Sequence, residues 1–242
     1  MRSIFAQSLA PEKLIVIDDG SKDESSEIIE RVLRDCPFDS EFIKRENRGL
    51  SATLNQGFAR TGETEFFAYL GSDDIWFPAF LEKRVALLRR RPEVALAFGH
   101  AFLIDEAENI IDSTAEWFDF DEKKILNHLL RGEIFSSPSV VYRRKFLEKY
   151  GWNEESILED YELYLKLCAE GEFAFDRQIL CAWRQHGWNV SGNFPKMLAE
   201  WIAAQNRVAD KLPFSRAERL ISDNKKSSAE ALLFHFAFFF DH

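Results

Sequence analysis

Apolar positions along the chain keep two alternating periods. Lys13-Leu14-Ile15-Val16-Ile17 is a short β-branched run that stops at Asp18-Asp19-Gly20-Ser21, a turn composition. The following SKDESSEIIERVLRD places acids early, Ile28, Ile29, Val32 and Leu33 at helical spacing, and arginine late. That charge order complements a helix dipole. Strand, turn and helix then repeat. Residues 41–44 read as a strand, Asn47-Arg48-Gly49 as a turn and residues 50–60 as a helix. Residues 65–70 read as a third strand, closed by Asp73-Asp74 and followed by a helix over 78–91 and a strand over 94–98. This alternation predicts an α/β fold: a mostly parallel (mixed) sheet flanked by helices. In such sheets the ligand crevice lies beyond the carboxyl ends of the strands. Both acidic pairs, Asp18-Asp19 and Asp73-Asp74, fall there.

After Phe98 the alternation loosens. SSPSVVY (136–142) reads as a strand, and EDYELYLKLCAE (159–170) as an amphipathic helix ended by Gly171. Residues 173–175 and 179–183 read as short strands leading into Arg184-Gln185-His186-Gly187-Trp188-Asn189. From Pro195 onward the pattern is helical, which divides the chain into a domain over 1–192 and a helical C-terminal annex over 193–242.

Composition narrows the function classes. The 242 residues carry a net charge of −10, which argues against a nucleic-acid or anionic-membrane binder. The odd, scattered Cys36, Cys168 and Cys181 form no CxxC, which fits a reducing, cytoplasmic setting and gives no metal cluster. No run of apolar residues reaches the length of a membrane span. The 23 Phe and 6 Trp enrich either the core or a surface for a partner. The Phe-rich stretch over 231–240 admits three readings: burial against the domain, a homodimer contact, or a peripheral dock on a membrane.

Four segments, in order, resemble the family 2 glycosyltransferases of the GT-A fold: IVIDDGSKD (15–23), ENRGLSATLNQGFA (46–59), FFAYLGSDDIWFP (66–78), and LED with RQHGWNVS (158–160 and 184–191). The resemblance implies inverting transfer of a sugar from a nucleotide-diphosphate donor to an acceptor hydroxyl, on a glycan or lipid-linked acceptor, in surface polysaccharide or glycan synthesis. It implies donor contacts from Asp18, Asp19, Asn47, Arg48 and Gly49, with Asp73 toward the ribose and Arg184 toward phosphate. It implies that Asp74 and His186 ligate a divalent cation, Mn2+ or Mg2+, and that Asp160, with Glu159 second, is the general base. Each residue also has a plain structural reading. Asp18-Asp19-Gly20-Ser21 and Asp23 suit a helix cap, Gly57 suits helix packing, and Glu159-Asp160 suits a helix dipole. Trp76 and Trp152 suit either a sugar face or the core.

Two departures accompany the resemblance. Gly71 stands where many members carry a third acid. The family's opening apolar strand is not seen before RSIFAQSLAP: either the start is misassigned, the sequence is a fragment, or this is a degenerate member lacking its first β-strand, whose sheet would then expose an edge. The alternatives from other classes are a non-catalytic GT-A-like binding or scaffold module and a nucleotidyltransferase. The second would need a Gly-rich phosphate loop that this chain does not show.

Overall fold

Two strand–helix units open the chain. In the computed structural model, which describes residues 1–187 and 194–209, a short helix α1 (Arg2–Phe5) precedes β1 (Lys13–Asp18), α2 (Ser25–Leu33), β2 (Asp39–Lys44) and α3 (Leu50–Arg60). β1 and β2 pair in parallel, Lys13 opposite Asp39 and Asp18 opposite Lys44. Among the described residues β1 has no second strand partner, and Leu14 to Ile17 are only part-buried.

Asp18 stops β1. Its carboxylate accepts the Ser21 N–H at 2.8 Å and the Ser26 hydroxyl, so the chain turns and α2 starts. These donors, led by Ser26, hold the Asp18 pKa down at about 2. Gly20 (φ +94°) lies so close to the 47–49 turn that a Cβ there would sit 2.7 Å from the Asn47 nitrogen. The two loops that end β1 and β2 therefore pack directly on one another.

The 65–70 run is strand only at β3 (Phe66–Phe67), and the chain returns to a sheet as β4 (Ile75–Trp76). The remaining elements are α4 (Phe80–Arg90), β5 (Val94–Gly99), β6 (Phe102–Ile104), β7 (Ile110–Ser113), α5 (Ile125–Leu130), β8 (Val141–Arg143), α6 (Arg144–Tyr150), α7 (Glu159–Cys168), β9 (Glu172–Asp176), β10 (Cys181–Arg184) and α8 (Phe194–Ala209). One four-stranded sheet has the order β3-β8-β5-β9 and another β4-β10-β6-β7. β5/β9 and β6/β10 are parallel, while β3/β8, β5/β8, β4/β10 and β6/β7 are antiparallel. The mixed sheet flanked by helices is as expected. The 136–142 segment differs from the expected strand because Pro138 has no N–H for a ladder and Val140 bonds back to the Ser137 carbonyl at 3.2 Å. A tight turn replaces the first half, β8 starts at Val141, and β3 finds only two residues to pair with.

β5 is buried along its whole length. Leu96 and Phe98 face an aromatic cluster with Phe120, Phe135, Tyr142, Tyr164 and Phe173, and Phe98 stacks on Phe135 at 4.0 Å. Val94 and Ala97 face a second cluster with Trp76, Phe80 and Leu88. The phenylalanines thus enrich the core. The buried Arg143 guanidinium donates to the carbonyls of Leu88 and Val94 and to the Glu65 carboxylate, so its charge is spent inside the fold. α8 closes the far side: Trp201, Ala204 and Val208 join the aromatic cluster, and Trp201 stacks on Tyr161 at 6.1 Å. No helix among the described residues is long and apolar enough to cross a membrane. The rest of the expected annex, 210–242, and the 188–193 segment lie outside the described residues.

Ser26→Ala removes the leading donor to a buried carboxylate and is expected to cost about 1.5–3 kcal/mol at pH 7. Because the folded pKa of Asp18 is depressed, its contribution is present above the ordinary carboxylate pKa and fades as pH falls toward 2. Urea denaturation across pH 7 to 2 checks this, and equal stability of variant and wild type at pH 7 would contradict it.

Candidate active site

The predicted residues stand at the end of β1, just before β4, at the end of β10 and at the start of α7. Asp19, just past β1, is gripped from three directions. Its Oδ1 accepts from Arg45 Nε at 2.7 Å and the Arg48 N–H at 3.0 Å, and its Oδ2 accepts the Gly49 N–H at 2.8 Å. Burial opposes ionisation here, but the Arg48 amide, the Arg45 guanidinium and the Gly49 amide outweigh it and hold Asp19 below the usual carboxylate range. Gly49 (φ +88°) caps α3, a backbone angle that glycine accepts without strain. Asn47, Arg48 and Gly49 are exposed at this mouth. Asp23 accepts the Ser25 N–H at 3.0 Å, so the capping reading applies to it.

The second acidic pair folds back on its own turn. A Cβ at Gly71 would lie 2.7 Å from Asp73 Oδ1 and 3.0 Å from Asp74 Oδ2. Glycine leaves room for both carboxylates to crowd over the loop, and a third acid at that position would have to displace them. Asp73 Oδ2 is 3.0 Å from His186 Nε2. Asp74 Oδ1 accepts the Arg184 N–H at 3.0 Å. Burial and the neighbouring Asp73 push the Asp74 pKa up to about 7, against the pull of that amide. The structure therefore brings Asp73, Asp74 and His186 together.

Arg184 sits beside them with its guanidinium turned to the protein. Nε donates to the Asp73 carbonyl at 2.8 Å, Nη1 to the Asp105 carbonyl at 2.9 Å, and Nη2 pairs with Glu108 at 3.1 Å. In this geometry it ties the acidic loop to the β6–β7 turn. Asn189 and Ser191, which complete the Arg-x-His-x-x-Asn-x-Ser segment, lie outside the described residues.

Glu159 and Asp160 open α7, with Leu158 at the cap. Glu159 is buried, and both carboxyl pKa values are raised, first by burial and, for Glu159, also by the charge of Asp160. The hydroxyls of Tyr69, Tyr142 and Tyr164 sit within electrostatic reach of the pair, and burial followed by these charges lifts them well above the usual tyrosine range. Tyr69 lies in the same segment as Asp73, so it links the two acidic clusters.

Sequence reasoning named neither Arg45 nor Tyr69 as site residues. Arg45 had a weak signal, a cation directly after a strand that ends beside an acidic turn. Trp76 and Trp152 both belong to the core: Trp76 stacks on Phe80 at 4.5 Å and donates to the Pro138 carbonyl, and Trp152 is 3% exposed. A shallow cavity of about 770 Å3 beside α4 and β9, lined partly by Leu87, Phe120 and Phe175, contains none of the predicted residues.

The fold has counterparts. A structure of S. aureus TarS 1–349 in complex with UDP matches with a TM-score of 0.67 at 14% identity, over 92% of this chain and 64% of that one. The mannosyltransferase PcManGT from Pyrobaculum calidifontis, in complex with GDP-Man and Mn2+, also matches at 0.67, with 17% identity over 98% of this chain and 70% of that one. The fold is GT-A. In sequence, an "uncharacterized glycosyltransferase" of Rickettsia conorii is 29% identical over 192 residues, 77% of this chain and 31% of that protein. One of Rickettsia typhi is 24% identical over 221 residues, 87% of this chain and 66% of that protein. The chain thus spans less than two thirds of these relatives' lengths. The Glycosyl transferase family 2 profile matches residues 1–151, and the protein belongs to that family.

The raised carboxyl pair makes a stability prediction. A carboxyl whose folded pKa lies above its unfolded value binds its proton more tightly when folded, so stability falls as pH rises through the interval between the two. Glu159→Gln removes that titration. The variant is expected to match wild type near pH 4 and to exceed it by roughly 1–3 kcal/mol at pH 8. Thermal denaturation across this range checks it. A variant less stable than wild type at pH 8 would contradict the buried-acid account.

Proposed function

We propose that the protein transfers a sugar from a nucleotide-diphosphate donor to an acceptor hydroxyl, with inversion and with the help of a divalent cation. The observation that carries this reading is the Asp73–Asp74–His186 cluster, where two carboxylates crowd over Gly71 and the His186 imidazole stands 3.0 Å from Asp73. Oxygen ligands with one imidazole suit Mn2+ or Mg2+. Among the described residues no group of three His, Cys, Asp or Glu side chains could hold a metal ion by itself, so Asp74 and His186 would hold the cation only with further ligands from the bound donor or water.

In this reading Asp74 and His186 hold the cation and Asp73 faces the ribose. When bound, the cation offsets charge developing on the departing nucleoside diphosphate. The Asp19-gripped turn of Asn47, Arg48 and Gly49 frames the nucleoside end, with Asp18 fixing that loop from beneath. Arg184 holds the acidic loop in place. Asp160, as carboxylate, takes the acceptor hydroxyl proton while the acceptor oxygen bonds the anomeric carbon and the bond to diphosphate breaks; Glu159 supports it. A single displacement from the opposite face inverts the anomeric centre. The catalytic unit is residues 1–192, with 193–242 as a helical extension. Family membership supports a glycan or lipid-linked acceptor in surface polysaccharide or glycan synthesis, in the cytoplasm or at its membrane face.

Calorimetry with a panel of nucleoside diphosphates tests the donor half. Binding is expected to need Mn2+, and Asp74→Ala is expected to abolish the Mn2+-dependent part. A folded protein that binds no nucleoside diphosphate would favour a scaffold module instead. For the base, Asp160→Asn is expected to keep donor affinity within about threefold while turnover falls roughly 10²–10⁴-fold. Unchanged turnover would remove Asp160 from that role.

A further inference from the structure

Asn55 lies on the outward course of α3, far in sequence from the acid pair, yet its amide is fully committed to the loop that leads there. Its Nδ2 donates to the Trp152 carbonyl at 2.8 Å and to Glu154 Oε1 at 3.1 Å, and its Oδ1 accepts the Trp152 N–H at 2.9 Å. One side chain thus satisfies both backbone groups of Trp152, as a neighbouring strand would. The loop is shaped to receive it. Gly151 has φ +59°, and a Cβ there would stand 3.0 Å from Asn55 Oδ1.

The connection continues on both sides. At the start of α3 the Arg48 and Gly49 amides are held by Asp19. One turn beyond Asn55, Phe58 packs edge-on to Trp152 at 6.3 Å. Past Trp152, Asn153 Nδ2 donates to both carboxylate oxygens of Glu162, at 3.1 and 3.0 Å. Glu162 is 2% exposed on α7, the helix that Glu159 and Asp160 open. A run of direct contacts therefore joins the loop framing the nucleoside to the helix carrying the acids.

We infer that Asn55 is a positioning residue that sets the base-bearing end of α7 relative to the donor-binding end of α3. The inference rests on the glycosyl-transfer reading for its kinetic consequence, but not for its mechanical one. A shift of the base by a fraction of an ångström from the acceptor oxygen lowers turnover without disturbing nucleotide contacts.

The test combines binding, turnover and hydrogen exchange on the full chain. Asn55→Ala is expected to bind nucleoside diphosphate with Mn2+ at unchanged stoichiometry and within about twofold of wild-type affinity, while turnover falls roughly 10–100-fold. Amide exchange is expected to quicken at Trp152 and through 153–162, with β5 unchanged. Asn55→Asp keeps the acceptor for the Trp152 N–H but sets a carboxylate against Glu154, so it is expected to lose as much. Adding Glu154→Gln returns a donor opposite it and is expected to recover part of the turnover. A fall in stoichiometry matching the fall in turnover would mean unfolding rather than positioning and would overturn the inference, as would turnover within twofold of wild type. If wild type binds no nucleoside diphosphate, the function reading fails separately. The exchange data then decide alone, and unchanged exchange over 152–162 in Asn55→Ala overturns the positioning role.

Discussion

Crowding of like charge, at Asp73-Asp74 over Gly71 and at Glu159-Asp160 where α7 opens, is the constraint on which the rest of the structure depends. Two carboxylates a few ångströms apart repel by several kcal/mol once water is thinned out. A fold keeps such a pair only by protonating one member, spending internal donors on it, or leaving it to an external cation. This protein sorts its acids among those answers. Asp18 and Asp19 receive hydroxyl, amide and guanidinium donors and sit below the usual range. Asp74, Glu159 and Asp160 receive too few and sit above it. The first group builds the loops, and the second keeps its raised carboxyl pKa values without such donors.

The satisfied acids explain how the others stay in place. Asp18 turns the chain after β1, Gly20 lets that turn touch Asn47, and Asp19 grips the 48–49 amides. Arg184 does the corresponding work for the second acidic pair, tying the Asp73 carbonyl to the β6–β7 turn. Beneath both, the aromatic packing around Phe98 and the Arg143 guanidinium make β5 and its neighbours stiff. Rigid loops on a rigid sheet let unfavourable charge persist instead of relaxing away.

Much of this was legible in the chain itself. The helix read over 50–60 has those same limits in α3, and β1 gains only Asp18, because strong periodicity there is bounded by unambiguous turn residues. Alternation placed Asp18-Asp19 correctly at the end of β1, whereas Asp73-Asp74 stand well past β3 and directly before β4. Two kinds of fact were hidden. One was short pairing: nothing in FFAYL shows that its partner segment is interrupted at Pro138. The other was long-range commitment of side chains. Arg184 reads as a phosphate contact until Asp105, 79 residues away, is seen to accept from it. Trp152 suits either a sugar face or the core until Phe67 and Tyr69 are seen to enclose it. Residue types announce what chemistry is available, whereas contacts across the sequence decide which groups are already spent.

The central proposal is that the carboxylates crowded over Gly71 would hold a divalent cation beside the donor diphosphate. Crystals grown with Mn2+ and a nucleoside diphosphate, measured for anomalous scattering, test it most directly. The account predicts a manganese peak within coordination distance of the Asp74 carboxylate, bridging to the diphosphate. A nucleotide bound in the crevice with no metal at Asp74, or manganese bound only elsewhere, would contradict it.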